Sequence, residues 1–180
     1  MKSGYIADDG LFDHPLVRAN PHSILRMQMM DSFVVRVETA DMVRHSMSYG
    51  TWYGDGMRCS ELMNAAAGCK RGVQVLVSVI GSLHFCGIAH LDLSAAGKKT
   101  SVEKQLPSRW TYVKDVPEDV LADLLPDVFE DDSVIVQIPE KNWNQVLKIV
   151  HDYQHTSNVF ENLNYSTLHN LSEDAPGKVC

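Results

Sequence analysis

The sequence predicts one α/β domain, a sheet flanked by helices, and three observations carry that reading. Val73, Val75, Val77 and Val79 alternate along one run, and its return, His84 to Leu91, follows the turn pair Gly81-Ser82. That is the pattern of a hairpin with one apolar face. Trp143, Val146, Leu147 and Val150 recur at helical spacing late in the chain, which marks an amphipathic helix. Hydrophobic residues make up 44 % and charged residues 22 % of the 180, a globular balance sufficient for one ordinary core.

Taken in order, residues 1–32 mix Asp, Gly, Pro and His with a Met-rich end and read as an extension. Within them Ser23 to Met30 can cap and form a short helix packed on the domain. Phe33 to Val37 reads as a strand. Thr39 is placed as an N-cap, and Met42, Val43, Ser46 and Met47 form a helical stripe stopped by Gly50. Trp52 follows in a loop over residues 51–56, and a second helix is predicted over 58–67, ended by Gly68. Residues 94–108 are small, polar and basic and read as a loop. Arg109 to Lys114 reads as a strand, Pro117 to Leu125 as a short helix, and Ser133 to Ile138 as a further strand. The domain is bounded at 33–165, with 166–180 a tail, and no internal repeat divides it.

Charge and cysteine usage narrow the function classes. Net charge is −7, yet residues 1–114 carry 13 Lys+Arg against 10 Asp+Glu, while residues 115–180 carry 3 against 13. Basic residues gathered on one face could neutralise a few phosphates, and the acidic end would keep such binding modest and salt-sensitive. Cys59, Cys69, Cys86 and Cys180 lack the close pairing of zinc ligands, so reduced, mostly buried thiols are expected. No apolar run is long enough to span a membrane. The first residues do not read as a signal peptide either, so an intracellular protein, cytoplasmic or nuclear, is expected.

Four blocks of residues, in order, resemble the YTH domain family. They are the strand and helix leading to Trp52, the block Ser78 to Ala89, the block Arg109 to Pro117, and the block from Gln145 through Asp152 to Ser157. The resemblance spans roughly residues 33–163. It implies a curved, roughly six-stranded mixed sheet or open barrel flanked by helices. It also implies an RNA-binding module that reads N6-methyladenosine through a cage of aromatic side chains. Trp52 matches the first cage tryptophan, and Tyr53 the neighbour whose backbone contacts the amino group. Glu38, Met42 and Ile80 stand at pocket positions, Ile80 in place of a common asparagine. The loop before Arg109 carries no aromatic residue, so Val102 and Leu106 are its only sizeable apolar candidates for the remaining walls. Phosphate contact falls to Arg36, Lys98, Lys99, Lys104 and Arg109, while a second basic position of the family is Ser133, beside Asp131 and Asp132.

The remaining candidates have plainer readings. Trp110 and Trp143 belong to apolar stripes and are core residues. His84 and Cys86 lie two apart on a strand, without the orienting partner that a nucleophile needs. His151 and His155 could pair on a metal, but with no nearby cysteine a capping or core role is preferred. Glu130 to Asp132 reads as a solvated turn. No acid–base pair, catalytic triad, phosphate loop or metal cluster emerges, so the expectation is a non-enzymatic module without cofactor or metal.

Its expected partner is single-stranded RNA, mRNA first among candidates, read through a reduced aromatic pocket with weak methyl discrimination. The alternative is a diverged fold serving as a protein-interaction scaffold, with protein partners, or binding unmethylated RNA on another face. A membrane partner is not expected.

Overall fold

A computed structural model describes residues 27, 30–69, 72–94, 105–130, 134–154 and 158–159. Six strands are named in chain order: β1 (Ser32–Val37), β2 (Thr51–Tyr53), β3 (Val73–Val79), β4 (His84–Leu91), β5 (Gln105–Pro117) and β6 (Ile135–Ile138). Four helices accompany them: α1 (Ala40–Tyr49), α2 (Cys59–Ala65), α3 (Pro126–Glu130) and α4 (Glu140–Asp152). The strands form one open sheet in the order β2-β5-β4-β3-β1-β6. β1 and β3 are parallel, and every other neighbouring pair is antiparallel.

β3 lies near the middle of this order and is buried at all seven positions, so its valine alternation marks one of two covered faces. On one face Val35, Val37, Val75 and Val77 join Trp52, Leu106, Trp110 and the inner residues of α1 and α2. On the other, Val34, Leu76, Ile88 and Tyr112 meet Trp143, Val146 and Val150 of α4. Each fully buried aliphatic side chain here contributes roughly 1.5–3 kcal/mol.

Local signals fix the element ends. Thr39 accepts a hydrogen bond from the Met42 N–H at 3.3 Å, and Gly50 takes the left-handed conformation (φ 64°) that stops α1. Gly87, at a register shift between β4 and β5, has φ 153°, and a Cβ there would run into the Tyr112 carbonyl. α4 ends on a side chain from the sheet: the buried Lys114 ammonium donates to the carbonyls of Val150 (2.6 Å), His151 (3.1 Å) and Tyr153 (3.2 Å). These are the carbonyls that a helix terminus leaves without internal partners.

Several sequence expectations shift. Trp52 lies in an edge strand, not a loop, because β2 pairs with Gln105, Leu106 and Pro107. The same pairing extends β5 back to Gln105, into residues expected to be loop. The second helix is shorter than expected and follows a 3-10 turn at Asp55–Met57. Residues 117–125 hold only a 3-10 turn at Glu118–Leu121, and α3 is a separate helix starting at Pro126. β6 starts at Ile135, while Ser133 lies outside the described residues.

Candidate nucleic-acid interface

The family-matched positions Glu38, Met42 and Ile80 converge at the ends of β1 and β3. The Glu38 N–H donates to the Gly56 carbonyl (3.0 Å), and the Ile80 N–H to the Val37 carbonyl (2.9 Å). Met42 closes over Gly56 so tightly that a Cβ at Gly56 would sit 2.5 Å from the Met42 Sδ. Met42 and Ile80 are nonetheless exposed, at 37 % and 44 %. Arg58 completes the cluster. It adopts a left-handed φ of 55°, a strained conformation for a side chain of this size. Its guanidinium donates to the Arg36 carbonyl at 3.4 Å and pairs with Glu38 at 3.6 Å and Glu61 at 4.0 Å. The sequence places Gly56 in a loop and Arg58 at the start of a helix, and neither position signals a part in the site.

Trp52 departs from its expected setting. Its indole is fully buried, its N–H donates to the Met57 carbonyl at 2.9 Å, and its ring centroid lies 6.2 Å from that of Trp110. The cause is period-two alternation: β2 turns Trp52 inward and leaves Thr51 and Tyr53 partly exposed. In this conformation Trp52 offers no accessible face to a base. Leu106, expected as a wall, is its direct cross-strand partner and is likewise buried. The two stand side by side in the core beneath the Gly56–Met57 turn. The Tyr53 hydroxyl reaches His45 Nε2 at 3.1 Å.

The expected phosphate contacts divide. Arg36 is spoken for within the fold: its Nη2 donates to the Val128 carbonyl (3.2 Å) and lies 3.8 Å from Glu118. The Ser78 hydroxyl donates to the same carboxylate at 2.9 Å. The correction is electrostatic, since a phosphate would have to displace an acidic partner already in place. Arg109 is exposed on β5, opposite His90. Burial first, and then the Arg109 guanidinium, hold the His90 imidazole below its usual range, with Asp92 opposing. Lys98, Lys99, Val102 and Lys104 lie outside the described residues, as do Asp131 and Asp132.

Other candidates take structural places. Cys86 is buried, its thiol donating to the Val77 carbonyl, and desolvation followed by Asp115 drives its pKa far up. His84 Nδ1 lies 2.6 Å from the Ser82 carbonyl. His151 Nδ1 lies 3.1 Å from the Tyr112 hydroxyl, and His155 is outside the described residues. Burial, then the hydrogen bond to Asp31, raises the Cys69 thiol to about 11. These thiols are weak nucleophiles near neutrality.

Comparison with known proteins assigns the fold. The family model for the YTH (YT521-B-like) domain matches residues 31–151. The chain is 25 % identical over 193 residues to YTH domain-containing family protein 2 of Danio rerio, covering 91 % of this chain and 32 % of that protein. Against the Homo sapiens protein of the same name it is 27 % identical over 160 residues, with 81 % and 28 % covered. It thus spans about a third of the length of the curated relatives it matches. Among solved structures, the YTH domain of Zygosaccharomyces rouxii MRB1 protein in complex with N6-methyladenosine RNA superposes with a TM-score of 0.55 at 22 % identity, over 70 % of this chain and 90 % of that one. The Pho92 YTH domain in complex with m6A gives 0.57 at 18 % identity, over 71 % and 90 %. A family match over residues 31–151 and an open six-stranded sheet that superposes on these domains lead to one conclusion: the chain belongs to the YTH family of YT521-B-like domains.

Proposed function

We propose that this chain is a non-enzymatic, single-strand RNA-binding module that reads adenine, N6-methylated adenine included, through a reduced pocket. The supporting observation is that Glu38 and Met42 close on the turn that covers Trp52, with the Ile80 N–H held by the carbonyl of Val37, the residue before Glu38. Met42 is unbranched and exposed, so swinging it off Gly56 costs little and uncovers the turn. The Glu38 carboxylate is an acceptor for an exocyclic N–H of adenine. N6-methylation leaves one N–H in place, so this contact serves both forms of the base. Discrimination then rests on packing of the methyl against Met42 and Ile80, worth on the order of 1 kcal/mol. Arg109 and the lysines at 98, 99 and 104 supply the phosphate contacts.

Fluorescence anisotropy at low salt tests this, with single-stranded RNA compared against a duplex of the same sequence. Binding confined to the single strand, and strengthened by Ile80→Asn, is the expected result. Equal binding to the duplex, or none to either, contradicts it. Ile80, Leu83 and Val120 are exposed at one end of the sheet, where the Leu83 carbonyl accepts from the Glu118 N–H. This favours protein scaffolding as the second reading, in which Ile80→Asn would leave RNA binding unchanged.

A further inference from the structure

Stacking a base requires an exposed ring, and the exposed ring here is not Trp52. Among the described side chains, Tyr49 is the one Phe, Trp or Tyr that is widely exposed, at 69 %. It does not stand alone. Its ring centroid lies 4.4 Å from that of His45, one helical turn back on α1, and the His45 ring meets Tyr53 edge-on at 5.5 Å. The Tyr53 hydroxyl and His45 Nε2, 3.1 Å apart, fix the two rings against each other. Three rings from α1 and β2 therefore form a supported surface whose outermost member is Tyr49.

The platform sits at the edge of the sheet, beside β5. The Ser108 N–H donates to the Gly50 carbonyl at 2.9 Å, which sets the start of β5 directly beside the residue after Tyr49. Arg109 follows Ser108 and is exposed, but Ser108 and Trp110 on either side of it both reach Ser46 of α1, so its side chain leaves the opposite face of the strand. Rings edged by a hydroxyl and an imidazole suit a planar, hydrogen-bonding ligand. An aliphatic peptide would find no aliphatic side chains of its own kind among these three rings.

We propose that Tyr49, backed by His45 and Tyr53, is a stacking platform for an unpaired nucleobase of single-stranded RNA. The proposal rests on the RNA-binding reading above, but not on the pocket around Met42 and Ile80. A platform that reads only the π face is indifferent to adenine methylation.

The test is anisotropy with a short fluorescein-labelled single-stranded RNA carrying one central adenosine, methylated or unmethylated, against wild type, Tyr49→Ala and Tyr49→Phe. Tyr49→Ala should weaken both RNAs by the same factor, roughly five- to a hundredfold. Tyr49→Phe should bind as wild type, and both variants should unfold at the wild-type temperature because the side chain lies at the surface. If wild type binds and Tyr49→Ala binds equally well, the platform is refuted while the RNA reading stands. A loss confined to the methylated RNA also refutes it, by making Tyr49 part of a methyl site. If wild type binds neither RNA, both readings fall together.

Discussion

At the residue scale, burial decides what a substitution reports. Removing the cage tryptophan is the obvious probe of a reader, but Trp52 here is fully buried and hydrogen-bonded to the Met57 carbonyl. Trp52→Ala should therefore destabilise the fold by about 3–5 kcal/mol, measured by urea denaturation, and lose RNA binding through unfolding. An unchanged midpoint would mean that the indole is not core. His90 gives a pH signature. The Gln74 amide lies 3.2 Å from its Nδ1, and burial with Arg109 depresses the imidazole's proton affinity in the folded chain. The unfolded chain then binds more protons as pH falls below the ordinary histidine value. Stability from His90 is thus present above that value and is lost as pH drops through the depressed one. Comparing denaturation midpoints at mildly acidic and neutral pH should show a slope that His90→Gln flattens. Equal slopes in the two proteins would contradict the assignment.

At the element scale, the last helix is tied to the sheet by one ammonium. Lys114→Met keeps the stem but strands three carbonyls at the end of α4, so it should cost about 1–3 kcal/mol and speed amide exchange in the last turn of α4. A wild-type midpoint with unchanged exchange would show that solvent satisfies those carbonyls instead. Elements whose signals are local were legible in the sequence: the Thr39 cap, the Gly50 stop, the β3–β4 hairpin and the Trp143 stripe all stand as expected. β2 was not legible, because three residues carry no periodicity of their own. They become a strand only by pairing with Gln105–Pro107, more than fifty residues away. That tertiary pairing is also what turns Trp52 inward and builds the platform of Tyr49, His45 and Tyr53. The site's positions could be named from the family's blocks, but their exposure could not.

At the scale of the whole molecule, charge sets the character of binding. The chain carries −7, and among the described residues Arg36, Arg44 and Arg58 each sit in an ion pair with a carboxylate. Among the described residues that leaves Arg109, Lys141 and Lys148 as exposed cations able to displace counterions from RNA. A plot of log affinity against log salt should have a slope no steeper than roughly −3, for the four cations at 98, 99, 104 and 109 on a single strand. A steeper slope would mean that the internal ion pairs open on binding. The central claim is that this YTH domain binds single-stranded RNA with little regard for the methyl group. Isothermal calorimetry with paired oligonucleotides, differing only in N6-methylation of one adenosine, tests it most directly. The account predicts binding to both, with affinities within about fourfold of each other, the value of one buried methyl. A preference on the order of a hundredfold for the methylated strand, as a multi-walled cage would give, or no heat with either strand, would contradict it.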